Sequence, residues 1–557
     1  MTKWLQEGEG VMAKECWSEV LPLGDLLVRA ATLRPDRDAV VFPNRRCSYA
    51  ELLTGAERFA RGLVALGIGP RDHVGLLAAN SVEFLEGLFG ALLLGCVVVP
   101  INARHRAVEI RHIVVNAELR AILTTSSDDE YVSFTELLTD ALPSLEQATD
   151  PTALSLPEAP ALRVAALLTG SGRPGFVGRD TLDARAETVS RDTVSELRAR
   201  VRVRDIAMIL YTSGTTSNPK GCLLAHEALM RGTTERARTR FSVGDHDVIW
   251  NGGPLFHIAA FGPLIGSIGA MSTFLTDTFY DPERAVALMR REGVTMAWPW
   301  FPAILQGLFD QPDFSAEYLP TLRRMMLIVP EAMIERLSRQ FPETEFLQAC
   351  GMTETSGIFA ISAADETLAQ RATTQGKAVP GIEVRIVDPE TGLDLSDGQV
   401  GEIMVRGYCV TEGYYRDPEK TAEVLSADGW LRTGDMYVRT PEGSLIFQGR
   451  YKDMLKVGGE NVAAIEIEAF LCGHPAVRIA EVVGRPDPRL DEVPVAFVEL
   501  QEGKGATAEE LIAFCTGRIA RYKVPREIRF VRPGEWPMSA TKVNKRVLRQ
   551  WLQDGSQ

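Results

Sequence analysis

The stretch Tyr211-Thr212-Ser213-Gly214-Thr215-Thr216-Ser217-Asn218-Pro219-Lys220-Gly221 decides how the rest of the chain is read. An apolar run, Ile206-Ala207-Met208-Ile209-Leu210, precedes it and reads as a buried strand, and Cys222 to Arg231 follows with helical spacing. Glycines let backbone N–H groups turn toward an anion, and clustered hydroxyls add donors suited to phosphate oxygens. Lys220 brings a compact positive charge to the rim. A solvated polar turn is the plain alternative, since Ser/Thr/Gly clusters commonly mark loops. The nucleotide-binding pattern G-x-x-x-x-G-K-[ST] is absent, because Pro219 precedes the lysine and Gly221 follows it.

A chain of 557 residues exceeds one ordinary core and predicts two or more domains. Its hydrophobic content of 45% and charged content of 24% are those of a soluble globular protein. A formal net charge of −14 argues against a nucleic-acid partner but is compatible with small anions held in a locally positive loop. The eight cysteines are scattered without a C-x-x-C pair, which suits free thiols in a reducing compartment. Met1 to Gly10 lacks an apolar signal core, and Leu85 to Val99 is too short and interrupted to span a bilayer. A cytoplasmic location is the expectation.

Helix and strand patterns alternate from the N-terminal region onward. A helix over Tyr49 to Leu66 stops at Gly67-Ile68-Gly69-Pro70, followed by strand His73 to Leu77, helix Ser81 to Leu94 and strand Cys96 to Pro100. This predicts an α/β fold with parallel-type sheets. Between Ser126 and Arg204 few elements stand out. Gly170, Gly172 and Gly175 form a literal G-x-G-x-x-G there, but polar residues follow rather than an amphipathic helix, so a surface loop is the better reading. From Gly381 short strands and tight turns predict a β-rich subdomain over about 381–450. Residues 451–557 then read as a separate, smaller α+β domain, leaving 1–450 as the large one.

Five further blocks follow the opening stretch in order: Gln348-Ala349-Cys350-Gly351-Met352-Thr353-Glu354-Thr355; Gly413-Tyr414 with Asp417-Pro418 and Thr421; Trp430-Leu431-Arg432-Thr433-Gly434-Asp435; Gly449 to Asn461; and Pro537 to Lys545. Together they resemble the adenylate-forming superfamily of acyl-CoA synthetases, adenylation domains and luciferases, most closely its AMP-forming acyl-CoA ligases. The resemblance spans nearly the whole chain. It implies a large α/β domain with ATP and acyl sites, followed by a small mobile domain.

The chemistry of such an enzyme explains the blocks. A carboxylate must approach the α-phosphorus of ATP, so donors and cations must offset the repulsion between anions. The resemblance places Thr212, Ser213, Gly214, Thr215, Thr216 and Lys220 on the β- and γ-phosphates. It places Ala349, Cys350, Gly351 and Met352 along the nucleotide, Thr353 on the α-phosphate and Glu354 on Mg²⁺. Asp435 would hold the ribose diol, and Arg450 would donate to the nucleotide. Cys350 stands where the family usually has an aromatic ring against adenine. The C-terminal motif lacks one residue, because Thr541 runs directly into Lys542. Lys542 is assigned as the activating lysine, with Lys545 as the alternative.

The resemblance further implies a hinge at Lys452 and a loop, Lys456 to Asn461, in which Gly458 and Gly459 leave room for the pantetheine arm of CoA. His257 would gate or orient at the junction of the acyl and thiol channels. His257, Phe261, Trp298, Trp300 and Ile328, with Ala349 and Gly351, are expected to line an uncharged acyl pocket, which favours a hydrophobic acid. The expected ligands are ATP, Mg²⁺, CoA and a small carboxylic acid; a homodimer is left open. Two rivals stay open as well: an adenylating enzyme that loads a carrier protein, and a catalytically silent relative that binds nucleotide or acyl ligand.

Overall fold

The structure is a computed structural model that describes residues 20–126, 132–212, 219–300, 302–457, 460–539 and 542–554. Two large sheets carry most of the chain before residue 380. In the first, the order is Val164–Leu167, Ala121–Thr124, His73–Leu77, Val97–Pro100, Ile206–Thr212 and Lys220–Ala225. All its pairings are parallel except the last, an antiparallel hairpin that puts Thr212 opposite Lys220. The second sheet is parallel from Glu345–Met352 through Arg324–Leu327, Met296–Trp300, Val248–Asn251 and Thr273–Leu275 to Asp38–Phe42. Antiparallel strands close both of its edges.

Local sequence chemistry sets many of the boundaries. Helix Tyr49–Ala65 opens on a capping box, with Ser48 accepting from the Glu51 N–H and the Glu51 carboxylate accepting from the Ser48 N–H. It stops where Gly67 takes φ +77°. It packs on helix Val82–Leu93 so closely that a Cβ at Gly90 would lie 2.9 Å from the Ala56 carbonyl oxygen. Phe59, Leu63, Leu88 and Leu92 fill this interior and are almost wholly buried.

Two expectations change. The stretch after the opening loop is a strand through Ala225, and the helix begins only at His226 and runs to Thr239. Leu223 and Leu224 serve a sheet here, pairing across to Ile209 and Met208. The region 126–204 is also richer in elements than its pattern suggests. It contributes strand Val164–Leu167 and helices Phe134–Ala141, Arg179–Ala186 and Arg191–Arg198. Gly170, Gly172 and Gly175 lie in the connection between that strand and the Arg179 helix, where Gly170 and Gly175 both take positive φ.

An antiparallel sheet follows, of Ile382–Val387, Val400–Gly407, Leu431–Arg439 and Leu445–Arg450. Beyond it, Met454–Val457, Glu460–Ala463, Val477–Asp487, Asp491–Leu500 and Glu527–Phe530 form one mixed sheet. Helices Ala464–Cys472, Ala508–Cys515 and Lys545–Asp554 complete that last region. Among the described residues, no helix is long and apolar enough to cross a membrane.

Candidate active site

The hairpin Ile206–Thr212/Lys220–Ala225 brings the opening stretch to the edge of the first sheet. Ser213, Gly214, Thr215 and Thr216 lie outside the described residues; the stem on either side is described. Helix Ala107–Asn116 supports that stem from outside. Asn116 Oδ1 accepts from the Tyr211 hydroxyl at 2.6 Å, and His112 Nε2 lies 3.2 Å from the Pro219 carbonyl. Neither helical residue carries a sequence signal, since each is one polar side chain on an amphipathic helix.

The segment around Gly413 runs antiparallel to the second strand of this hairpin. Leu223 N–H donates to the Gly413 carbonyl at 2.9 Å, and Tyr415 N–H to the Gly221 carbonyl at 2.7 Å. Gly413 takes φ +116°, and a Cβ there would lie 2.6 Å from Thr421 Cγ2. Thr421 Oγ1 accepts from the Tyr414 N–H at 2.9 Å, while Asp417 caps helix Pro418–Val424. The spacing Gly413-Tyr414 … Asp417-Pro418 … Thr421 thus describes one self-bonded turn, and its product is the placement of Tyr414.

Tyr414 links the hairpin to the Glu354 block. Its ring lies under the Lys220 ammonium, 5.7 Å from centroid to Nζ, and its hydroxyl donates to Glu354 Oε1 at 2.9 Å. Strand Glu345–Met352 delivers Thr353 and Glu354 into a single helical turn, Thr353–Thr355. The chain then reverses through Ser356 at φ +52° and Gly357 at φ +100°. Gly351 is required here because a Cβ would meet the Gly357 carbonyl oxygen at 2.3 Å. Thr353 is half-buried and Glu354 is buried. Burial pushes the Glu354 carboxyl upward, Asp435 adds to this, and Tyr414 and Arg450 oppose it. Burial and the nearby Lys420 ammonium push Lys220 downward, against Asp417, Glu423 and Glu354. An acid and a base that both resist ionisation favour ligands of opposite charge: a cation at Glu354 and an anion at Lys220.

Asp435 and Arg450 stand opposite each other on adjacent strands, and Arg450 Nε lies 3.0 Å from Asp435 Oδ1. Asp435 is the more enclosed, at 14% side-chain exposure against 43% for the arginine. Cys350 is buried; its thiol bonds to Tyr437, and burial pushes it up to about 12. Its side chain therefore packs with Tyr437, Phe359 and Phe447. Ala349 is fully buried, whereas Gly351 is exposed and Met352 half-buried.

The apolar residues divide into two groups. Trp298 and Trp300, with ring centroids 5.0 Å apart, share one cluster with Ala349, and Ile328 packs against it. Trp300 takes φ +62°, donates its indole N–H to Asn251 Oδ1 at 3.2 Å, and accepts at its carbonyl from Ile328 N–H at 2.7 Å. Phe261, on helix Ile258–Ala270, lies in a second cluster with Leu264 and Ile265, to which strands of both large sheets contribute. His257 caps helix Ile258–Ala270, its Nδ1 accepting from Ala259 N–H at 3.1 Å, and Ile258 lies beside Gly357.

Lys452 lies in the turn Tyr451–Asp453, which joins the antiparallel sheet to the last one, and both Lys452 and Lys456 are exposed. Lys456 N–H donates to Glu492 at 2.9 Å. Gly458 and Gly459 lie outside the described residues. The backbone of Lys542 forms strand Lys542–Val543, paired with Met538–Ser539. Lys545 is enclosed at 18% side-chain exposure and paired with Glu468 and Glu481.

A fold of two parallel-centred sheets, with a lysine–phenol–carboxylate chain at the hairpin, defines an adenylate-forming enzyme. Residues 27–415 match the family described as AMP-binding enzyme, and residues 466–542 match the AMP-binding enzyme C-terminal domain. The chain belongs to this family. It is 33% identical to the putative acyl-CoA synthetase YngI of Bacillus subtilis, over 95% of this chain and 96% of that one. It is 29% identical to the mitochondrial medium-chain acyl-CoA ligase ACSF2 of Mus musculus, over 95% of this chain and 87% of that one. ATP-bound MatB from Rhodopseudomonas palustris superposes with a TM-score of 0.80 at 26% identity, covering 96% of this chain and all of that one.

Proposed function

We propose that the protein is an AMP-forming acyl-CoA ligase that activates a hydrophobic carboxylic acid with ATP and transfers it to CoA. The observation that carries this reading is the contact chain Lys220–Tyr414–Glu354, within electrostatic reach of Asp435 and Arg450. It joins five of the six sequence blocks into one contact network. The curated relatives, named as acyl-CoA synthetases or ligases, support the same class.

In the first step the acid carboxylate attacks the α-phosphorus, acyl-AMP forms, and pyrophosphate leaves. Lys220 neutralises charge on the leaving β- and γ-phosphates together with Thr212, Ser213, Gly214, Thr215 and Thr216. Thr353 donates to an α-phosphate oxygen. Asp435 accepts from the ribose hydroxyls, with Arg450 fixing its carboxylate. Glu354 is a buried hard-oxygen carboxylate supported by a neutral phenol, which suits Mg²⁺. That ion would supply charge neutralisation for the polyphosphate. Lys542 bridges carboxylate and α-phosphate oxygens. Lys545 is a poor substitute because its ammonium is already taken by two carboxylates.

In the second step the domain beyond about residue 450 turns at Lys452. The Lys456 to Asn461 loop then enters, with Gly458 and Gly459 flanking the pantetheine arm. The CoA thiolate attacks the acyl carbonyl of the mixed anhydride and AMP departs. His257 orients the thiol channel, and Trp298, Trp300 and Ile328 bound the acyl chain. A medium-length acid is favoured by that tryptophan-narrowed, uncharged lining and by the name of the relative ACSF2. The cytosol is the proposed location.

A panel of straight-chain, branched and aromatic acids, incubated with ATP, Mg²⁺ and CoA and read by mass spectrometry, tests function and substrate together. The expected product is an acyl-CoA with AMP and pyrophosphate, lost in Lys542→Ala. Thioester formation only on a phosphopantetheinylated carrier protein would replace CoA as the acceptor. An absence of acid-dependent pyrophosphate release across the panel would overturn the enzymatic reading.

A further inference from the structure

Lys545 lies three residues beyond Lys542 and begins helix Lys545–Asp554. Its ammonium enters a carboxylate cluster, hydrogen-bonded to Glu468 and 3.5 Å from Glu481. Glu468 comes from helix Ala464–Cys472 and also accepts from Val482 N–H at 2.8 Å, so it is fixed from two directions. One turn along the same helix face, Arg549 reaches Asp453 Oδ1 at 2.7 Å and the Lys452 carbonyl at 3.5 Å. Leu548, between these two cations, is fully buried with Val483, Phe497 and Trp536. On the other side of Lys545, Asn544 N–H closes the Met538–Ser539/Lys542–Val543 hairpin onto the Pro537 carbonyl at 2.6 Å.

The first half of the helix therefore contacts the hinge turn through Arg549 and follows directly on the Lys542 hairpin. A buried ammonium facing two carboxylates is strongly restrained, because withdrawing it leaves uncompensated charge. Asp453 also acts electrostatically on Lys545, so the hinge aspartate faces both cations of this turn. We infer that Lys545 and Arg549 are positioning residues that bind the Lys542 hairpin to the hinge at Lys452–Asp453, so that hinge rotation carries the hairpin as one body. The inference rests on the reading of Lys542 as the activating lysine. It predicts a defect confined to the half-reaction that uses Lys542.

The test separates the half-reactions, using octanoate or whichever acid of the panel turns over fastest. Acid-dependent pyrophosphate release without CoA reports adenylation, and preformed acyl-AMP with CoA reports transfer. Lys545→Met is expected to slow adenylation about 10²-fold, the effect of displacing a reacting group by about an ångström. Transfer is expected to stay within about twofold of the parent. Lys545→Arg, which keeps the cation, is expected to recover most of the adenylation rate. Arg549→Met is expected to show the same split at about tenfold, because it loosens only the hinge end. Should Lys545→Met fail to fold, the neutral triple variant Lys545→Met/Glu468→Gln/Glu481→Gln removes the tie without leaving buried charge, and the same split is expected. Equal losses in both half-reactions, or none, would overturn the inference. Lys542→Ala distinguishes the levels: normal adenylation there refutes the lysine assignment itself. If Lys542→Ala is inactive while Lys545→Met adenylates normally, only the coupling is refuted.

Discussion

Glu354 beside Tyr414 and Glu481 in the C-terminal sheet are both carboxylates withdrawn from water, and their partners differ. Glu481 shares the Lys545 ammonium with Glu468, so the cation it faces belongs to the protein itself. Glu354 receives a hydrogen bond from the neutral Tyr414 hydroxyl and stands near both Arg450 and Asp435. Desolvation raises both acids, Glu481 to about 7. The difference separates scaffold from site. A carboxylate facing a protein ammonium holds two elements together, whereas one supported mainly by a phenol, on the proposed reading, gains its countercharge from an incoming cation.

Replacing the cleft carboxylate tests this contrast most severely. Glu354→Gln is expected to lower adenylation by about 10³-fold while leaving the thermal midpoint equal or higher, since a buried charge is removed. A matched loss of folding would place Glu354 with the scaffold instead. Gly413→Ala moves the partner rather than the acid. The strained backbone and the Thr421 clash are expected to destabilise the segment by about 2 kcal/mol and displace Tyr414, readable as early local hydrogen exchange from 413 to 424. Tyr414→Phe removes only the hydrogen bond. It is expected to slow adenylation about tenfold and to raise the Mg²⁺ concentration needed for half-maximal rate.

The smallest effect belongs to the scaffold acid. Between about pH 4.5 and 7, the folded chain holds a proton on Glu481 that the unfolded chain releases, so stability falls as pH rises through that window. Glu481→Gln abolishes that fall. Relative to the parent, its thermal midpoint is expected to gain about 2 °C between pH 5 and pH 8. A constant difference between the two proteins across that range would refute the assignment of Glu481 as the titrating group.

The blocks that meet around Tyr414 were legible in the sequence because they carry backbone requirements that few residues satisfy. Gly351 and Gly413 each sit where a side chain would clash or strain, so both stand out within their blocks. The helices Arg179–Ala186 and Arg191–Arg198 were not legible. They bury only Leu182 and Ala186 in the first and Val194 in the second, too few for a helical period to emerge. The strand Lys220–Ala225 was misread for the opposite reason, since a short apolar run fits either a helix or a buried strand. Phe261 was placed with the tryptophans by position alone, and its membership of a different apolar cluster is visible only in the packing. Tyr414 was visible as part of a block, but its contact with Glu354 spans 60 residues and is a property of the fold.

The strand-to-strand stem of the opening hairpin has a last consequence, for product release. A phosphate loop that leads straight into a helix holds its anion with the aligned peptide dipoles of that helix. Here the chain leaves Lys220 as a strand, and the next helix starts at His226, behind an Ala225 cap that makes no side-chain hydrogen bond. On the proposed reading, pyrophosphate is gripped by hydroxyls, backbone donors and one lysine, with no helix macrodipole directly behind the described stem. Such a grip stabilises charge while the α–β phosphate bond breaks, then lets the polyanionic product go, so departure of pyrophosphate would not limit turnover.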